Sequence, residues 1–111
     1  MKFKTQDYSD FTVVDFQGEL TADFVDLFKS FMTDLVSQKK IGIVLDMSNM
    51  ISVDSKGLEH LLWLRDYCNE NSCTLKLAGL NEHCAKILEI TKLQKEFDRH
   101  IELGDAVKSF A

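Results

Sequence analysis

The sequence has no proline, no run of basic residues and no long uninterrupted apolar stretch. Without proline there is no obvious cis-peptide turn. Lys39-Lys40 is too small a cluster to neutralise a phosphate backbone, and a net charge of -5 points the same way, so nucleic acid is excluded as a partner. Charge interrupts every apolar stretch within a few residues, so membrane insertion is not expected. The start MKFKTQDYSD lacks the apolar centre of a signal peptide, which implies a cytoplasmic protein. The three cysteines, at 68, 73 and 84, are odd in number and follow no CxxC or Cys/His ligand spacing. They suit a reducing compartment and read as small core residues. His83 beside Cys84 completes no four-ligand set, so no metal and no cofactor is expected.

What is present is ordinary for one globular domain spanning residues 1–111. With 45% hydrophobic and 28% charged residues, the chain can bury a core without disulfide or metal support. Lys2 to Tyr8 and Phe11 to Phe16 are β-prone runs around Ser9-Asp10 and predict a hairpin. Gly18-Glu19-Leu20 breaks that pattern. Thr21 is then a candidate cap for a helix with Phe24, Val25, Leu27, Phe28, Phe31, Met32, Leu35 and Val36 on one face. Asp23 and Asp26 are expected in its first turn and Lys39-Lys40 past its end.

Ile41 to Leu45 shows no alternation, as expected of a central strand covered on both faces. A helix from Ser55 to about Glu70 and a second buried strand, Thr74 to Ala78, complete a strand–helix–strand unit with parallel strands. Glu82 to Thr91 predicts a helix with Cys84, Ile87, Leu88 and Ile90 inward. Phe97 to Ile101 predicts a short edge strand, and Asp105 begins a last helix with Ala106, Val107 and Phe110 inward. The expected class is α/β, a mixed, mostly parallel sheet of four to five strands with about four helices.

Asp46 to Gly57, DMSNMISVDSKG, links the central strand to the following helix and reads as one connecting loop, with Ser48 and Ser52 as turn residues. Ligands and partners gather at such carboxyl ends of strands. Asp46 is expected to orient the loop by accepting backbone N–H bonds. Ser55 has three possible uses: a helix cap worth about 1 kcal/mol, a nucleophile, or a phosphate acceptor at a helix N-terminus. No GxSxG elbow is present and no histidine can be assigned to it as a base. On a helical wheel of about 100° per residue, Gly57, Leu58, Leu61, Leu64 and Cys68 form the inner side. Lys56, Glu59, Trp63, Asp66, Tyr67 and Glu70 form the outer one. Trp63 thus stands on a charged face, either packed under a neighbouring segment or serving as an interface anchor. His60 and His100 have no partners readable from spacing.

The segment VLDMSNMISVDSKGLEHLL resembles the signature of the STAS domain, best known in bacterial anti-sigma factor antagonists. The resemblance runs over nearly the whole chain: a hairpin, GEL before the first helix, a buried strand, the DS-x-G helix start, LAGLNEHCAKILEITKL and FDRHIELGDAVKSF. In that family the serine after the Asp is phosphorylated by the partner anti-sigma factor, a serine kinase, and reset by a serine phosphatase. Ser55 matches the acceptor, Asp54 the preceding acid and Gly57 the helix-start glycine. The resemblance implies a non-enzymatic binding module that switches partners. Docking would involve Asp54, Ser55, Lys56, Gly57, Glu59, Trp63 and Tyr67, with Asp46 and Thr21 orienting the loops. Lys56 and Thr21 stand where the family often has serine and aspartate; Lys56 reads as a solvated lysine and Thr21 as a cap. Two other readings stay open: a non-phosphorylated STAS subunit of a lipid-transport or stress-sensing assembly, and a small hydrolase using Ser55 with Asp46 or Asp54.

Overall fold

The computed structural model describes residues 1–110. Strands β1 (Lys2–Asp7) and β2 (Phe11–Leu20) form the expected antiparallel hairpin, closed by the Tyr8 amide on the Phe11 carbonyl at 2.9 Å. Helix α1 (Val25–Val36) leads to β3 (Gly42–Asp46), which pairs parallel with β2. Then come β4 (Met50–Val53), α2 (Ser55–Glu70), β5 (Thr74–Ala78) and α3 (Glu82–Ile90). A 3-10 turn (Gln94–Glu96), β6 (Asp98–His100) and α4 (Leu103–Lys108) complete the fold. The main sheet runs β1-β2-β3-β5-β6, and all its pairs after the hairpin are parallel.

The sixth strand among the described residues corrects the sequence reading. Met50–Val53 is not loop: it pairs parallel with the far end of β2, Gly18 to Leu20. Gly18-Glu19-Leu20 accordingly does not end β2. The register shifts between Gly18 and Glu19, and Gly18 takes a φ of +111°, which glycine alone adopts cheaply. This bulge turns the strand from β3 to β4. Ser52, read as a turn residue, lies inside β4, whereas Ser48 does occupy the preceding turn.

Both faces of the sheet are covered, which is why β3 reads as an apolar run and β5 as one interrupted at Lys76. One face, with Phe16, Ile43, Leu45 and Leu77, packs against Phe28 and Met32 of α1, Leu61 and Leu64 of α2, and Leu88 of α3. On the other, Phe11, Val13, Val44 and Ala78 meet Ala106 of α4. Lys76 is the buried exception on β5. Its ammonium lies 2.5 Å from the Ser109 hydroxyl, 3.7 Å from Asp98 and 4.4 Å from the Phe110 ring centre, so the charge is partnered as burial requires.

Helix boundaries differ where a tertiary contact intervenes. Helix α1 begins at Val25, and its cap position, Phe24, makes no side-chain bond. Thr21 is not the cap. It lies in the preceding turn, where its carbonyl accepts the Phe24 amide at 2.9 Å, and Asp23 therefore precedes the helix. Leu27 and Ile90, assigned inward from spacing, are 55% and 69% exposed. Leu64→Ala should therefore cost about 2–5 kcal/mol in urea unfolding, whereas Leu27→Ala should stay within about 0.5 kcal/mol of wild type.

Candidate functional site at the start of α2

Asp54 organises the junction between β4 and α2. One carboxylate oxygen, Oδ1, accepts the Gly57 amide at 2.8 Å and so caps the helix; the other, Oδ2, accepts the amide of Ala22 at 2.9 Å from the β2–α1 turn. Its own amide donates to the Leu20 carbonyl at 3.2 Å, and its carbonyl accepts the Leu58 amide at 2.9 Å. The bonds from Gly57 and then Ala22 hold the Asp54 carboxyl below the usual carboxylate range.

The cap is therefore Asp54, not Ser55. Both residue types suit the position, but only the residue at 54 has the extended backbone of a cap, with ψ of -175°, while Ser55 is already the first helical residue. Ser55 is exposed, and its hydroxyl makes no hydrogen bond with the described residues. Among the described residues no histidine or carboxylate is hydrogen-bonded to it. His60, the next histidine along α2, has Nδ1 2.9 Å from the Lys56 carbonyl.

Gly57 is fixed by close approach. A Cβ there would lie 2.1 Å from the Leu20 carbonyl oxygen and 2.7 Å from Val53 Cγ2. The DS-x-G spacing thus has a local explanation: the aspartate caps, the serine projects, and the glycine lets the first turn of α2 sit on the end of β2.

The remaining sequence candidates divide. Lys56 and Glu59 are exposed and form a 3.3 Å ion pair, so Lys56 is solvated but not alone; such a pair is worth at most about 1 kcal/mol. Trp63 and Tyr67 are half-buried, stacked at 5.1 Å between centroids and packed against the margin of the core. The Lys29 ammonium of α1 lies 5.4 Å from the Trp63 ring centre. Trp63 thus borders the contact between α1 and α2 rather than standing alone on a charged face. Thr21 occupies the turn whose next residue, Ala22, is tied to Asp54.

Asp46 is not brought to Ser55. Its Oδ1 accepts the Ser48 amide at 3.0 Å, ordering the turn after β3. Strand alternation places its side chain on the face of Val44 and α4, away from Leu45 and α2. Ile51 was missed altogether. It is 67% exposed on β4, four residues before Ser55, between buried Met50 and Val53. MISV shows no clean alternation, its buried positions Met50 and Val53 being three apart, so a short strand inside a polar segment left little signal. Among the described residues no cluster of three metal-ligating side chains occurs, and no helix is long and apolar enough to cross a membrane.

The sequence model of the STAS domain matches residues 2–109. The chain belongs to the STAS family. Several solved structures superpose closely on it. TM1081 of Thermotoga maritima gives a TM-score of 0.88 at 20% identity, over 96% of this chain and 92% of that one. An anti-sigma factor antagonist of Mycobacterium paratuberculosis gives 0.86 at 18% identity, over 97% and 92%. Bacillus SpoIIAA in its phosphorylated form gives 0.73 at 14% identity, over 99% and 100%. No curated protein matches the STAS chain in sequence.

Two substitutions test the junction. Gly57→Ala should destabilise the domain by about 1–3 kcal/mol through overpacking, measured by urea unfolding. Asp54→Asn removes a carboxylate whose depressed pKa contributes stability above the ordinary carboxylate value of about 4 and loses it as pH falls towards the folded value. Thermal melts should show wild type more stable at neutral pH, with the difference shrinking as the buffer is acidified through that range.

Proposed function

We propose that this STAS domain is an anti-sigma factor antagonist, a binding module without catalytic activity, switched by reversible phosphorylation of Ser55. One observation carries the reading. Because Asp54 takes the cap, the Ser55 hydroxyl is left exposed and without an internal partner at the start of a 16-residue helix. A kinase can reach it without unfolding anything. The fold is shared with SpoIIAA, which adopts it both unphosphorylated and phosphorylated, at TM-scores of 0.72 and 0.73.

The partner in this reading is an anti-sigma factor with serine kinase activity, and a serine phosphatase resets the switch to regulate sigma-factor-dependent transcription. Asp54, Ser55, Lys56 and Glu59 form the docking end, flanked by Trp63 and Tyr67 along α2, while Gly57 is buried beneath it and supports the turn without reaching a partner. Phosphate adds about 1.5 to 2 negative charges at neutral pH, beside Asp54 and within one turn of Glu59. Lys56, already paired with Glu59, offsets little of that charge. An interface that accommodates a neutral hydroxyl would have to desolvate the new dianion, so the phosphorylated form dissociates.

The test uses wild-type, Ser55→Ala and Ser55→Asp chains as baits in source-cell lysate, followed by titration of the retained kinase in purified form. Wild type and Ser55→Ala should bind it alike. Ser55→Asp should bind at least about tenfold more weakly, or about 1.4 kcal/mol, and phosphate should be found on Ser55 of the wild type alone. Equal retention of one partner by all three baits, with no phosphate, would instead make the domain a constitutive subunit of a larger assembly.

A further inference from the structure

Two of the three cysteines meet in a way that their sequence spacing conceals. Helix α2 ends in a Schellman closure: Ser72 adopts a left-handed backbone, φ +57°, and the Cys73 amide donates to the Cys68 carbonyl at 2.8 Å. In this closure the residue after the left-handed position packs against the residue whose carbonyl it caps. Here both are free thiols, and both are buried. The closure sets the two side chains against each other, and the interaction between the thiols, ahead of burial, raises Cys68 and lowers Cys73. Cys84 differs. It lies on α3, its sulfur is 3.9 Å from the Met50 carbonyl, and burial alone pushes its thiol up.

We infer that Cys68 and Cys73 are an oxidation site, a dithiol that a hydroperoxide converts reversibly into a disulfide across the end of α2. The Cys73 thiolate attacks one peroxide oxygen; the O–O bond breaks, the departing oxygen leaves as water after taking a proton, and Cys73 becomes a sulfenic acid. The Cys68 sulfur then displaces that hydroxyl. The S–S bond forms, the S–O bond breaks, and the Cys68 proton leaves with the hydroxyl as a second water. Two thiols lose two electrons and hydrogen peroxide gains them. The exposed Asn71-Ser72 turn directly before Cys73 lines an open cavity of about 300 Å³ shared with Ser37, Lys39 and Lys40, and opening of this turn would admit peroxide to the buried pair. The bond ties the far end of the helix that begins at Ser55 to the start of β5.

The full chain provides the test. Asp66 to Lys76 is a single tryptic peptide containing both cysteines and not Cys84. After hydrogen peroxide treatment in native buffer and digestion without reductant, this peptide should be about 2 Da lighter, the mass of two hydrogens. Cleavage after Glu70 should leave its two halves linked. Both cysteines should lose alkylation while Cys84 keeps it after unfolding, and dithiothreitol should reverse the change. Cys73→Ser, checked for folding by circular dichroism, should leave Cys68 without that intramolecular partner, as should Cys68→Ala for Cys73. A peptide of unchanged mass, or a loss that appears only in urea, would overturn the assignment.

Discussion

The carboxylate of Asp54 joins two parts of the chain some thirty residues apart. It closes the first turn of α2, holds the β2–α1 turn through Ala22, and does so from a residue whose own amide is bound to the end of β2. The position of Ser55 follows from these bonds. With the helix amide satisfied by its neighbour, the serine hydroxyl is released from structural duty and faces solvent. Stability and the candidate switch are thus assigned to adjacent residues, so chemistry at Ser55 need not weaken the cap.

The same junction depends on how closely elements approach. Gly57 permits α2 to rest on the Leu20 carbonyl, and Val53 of β4 packs beneath the same turn. The bulge at Gly18 supplies the other half of the arrangement by carrying β2 from β3 to β4. The end of β2 is therefore both a sheet element and the seat of a helix. Any side chain at position 57 would separate the two and move Ser55 with them.

Much of this was readable in the sequence, for a physical reason. β3 is buried on both faces, so its composition identifies it; β5 reads the same way apart from Lys76, and the spacing of Leu61, Leu64 and Cys68 identifies α2. The family resemblance named Asp54, Ser55 and Gly57; the geometry makes the first a cap, leaves the second exposed and buries the third. β4 escaped because it is four residues long, sits among serine, asparagine and aspartate, and pairs with a strand some thirty residues earlier. The cap was misassigned because serine and aspartate are locally equivalent; the tie to Ala22, a tertiary contact, accompanies the aspartate. Trp63 was half legible. Its place on α2 was correct, but the neighbouring α1 that brings Lys29 over it is absent from a helical wheel. Ile51 was lost with its strand.

The two open margins of the main sheet are β1 and β6. The first carries exposed Lys2 and Lys4, and the second is only three residues long. Charged or very short borders are poor templates for adding another strand. The domain is thereby guarded against growth into ribbons when many copies are crowded together. Helix ends and turns, by contrast, offer contacts that can be made and broken without disturbing the backbone pairing of the sheet.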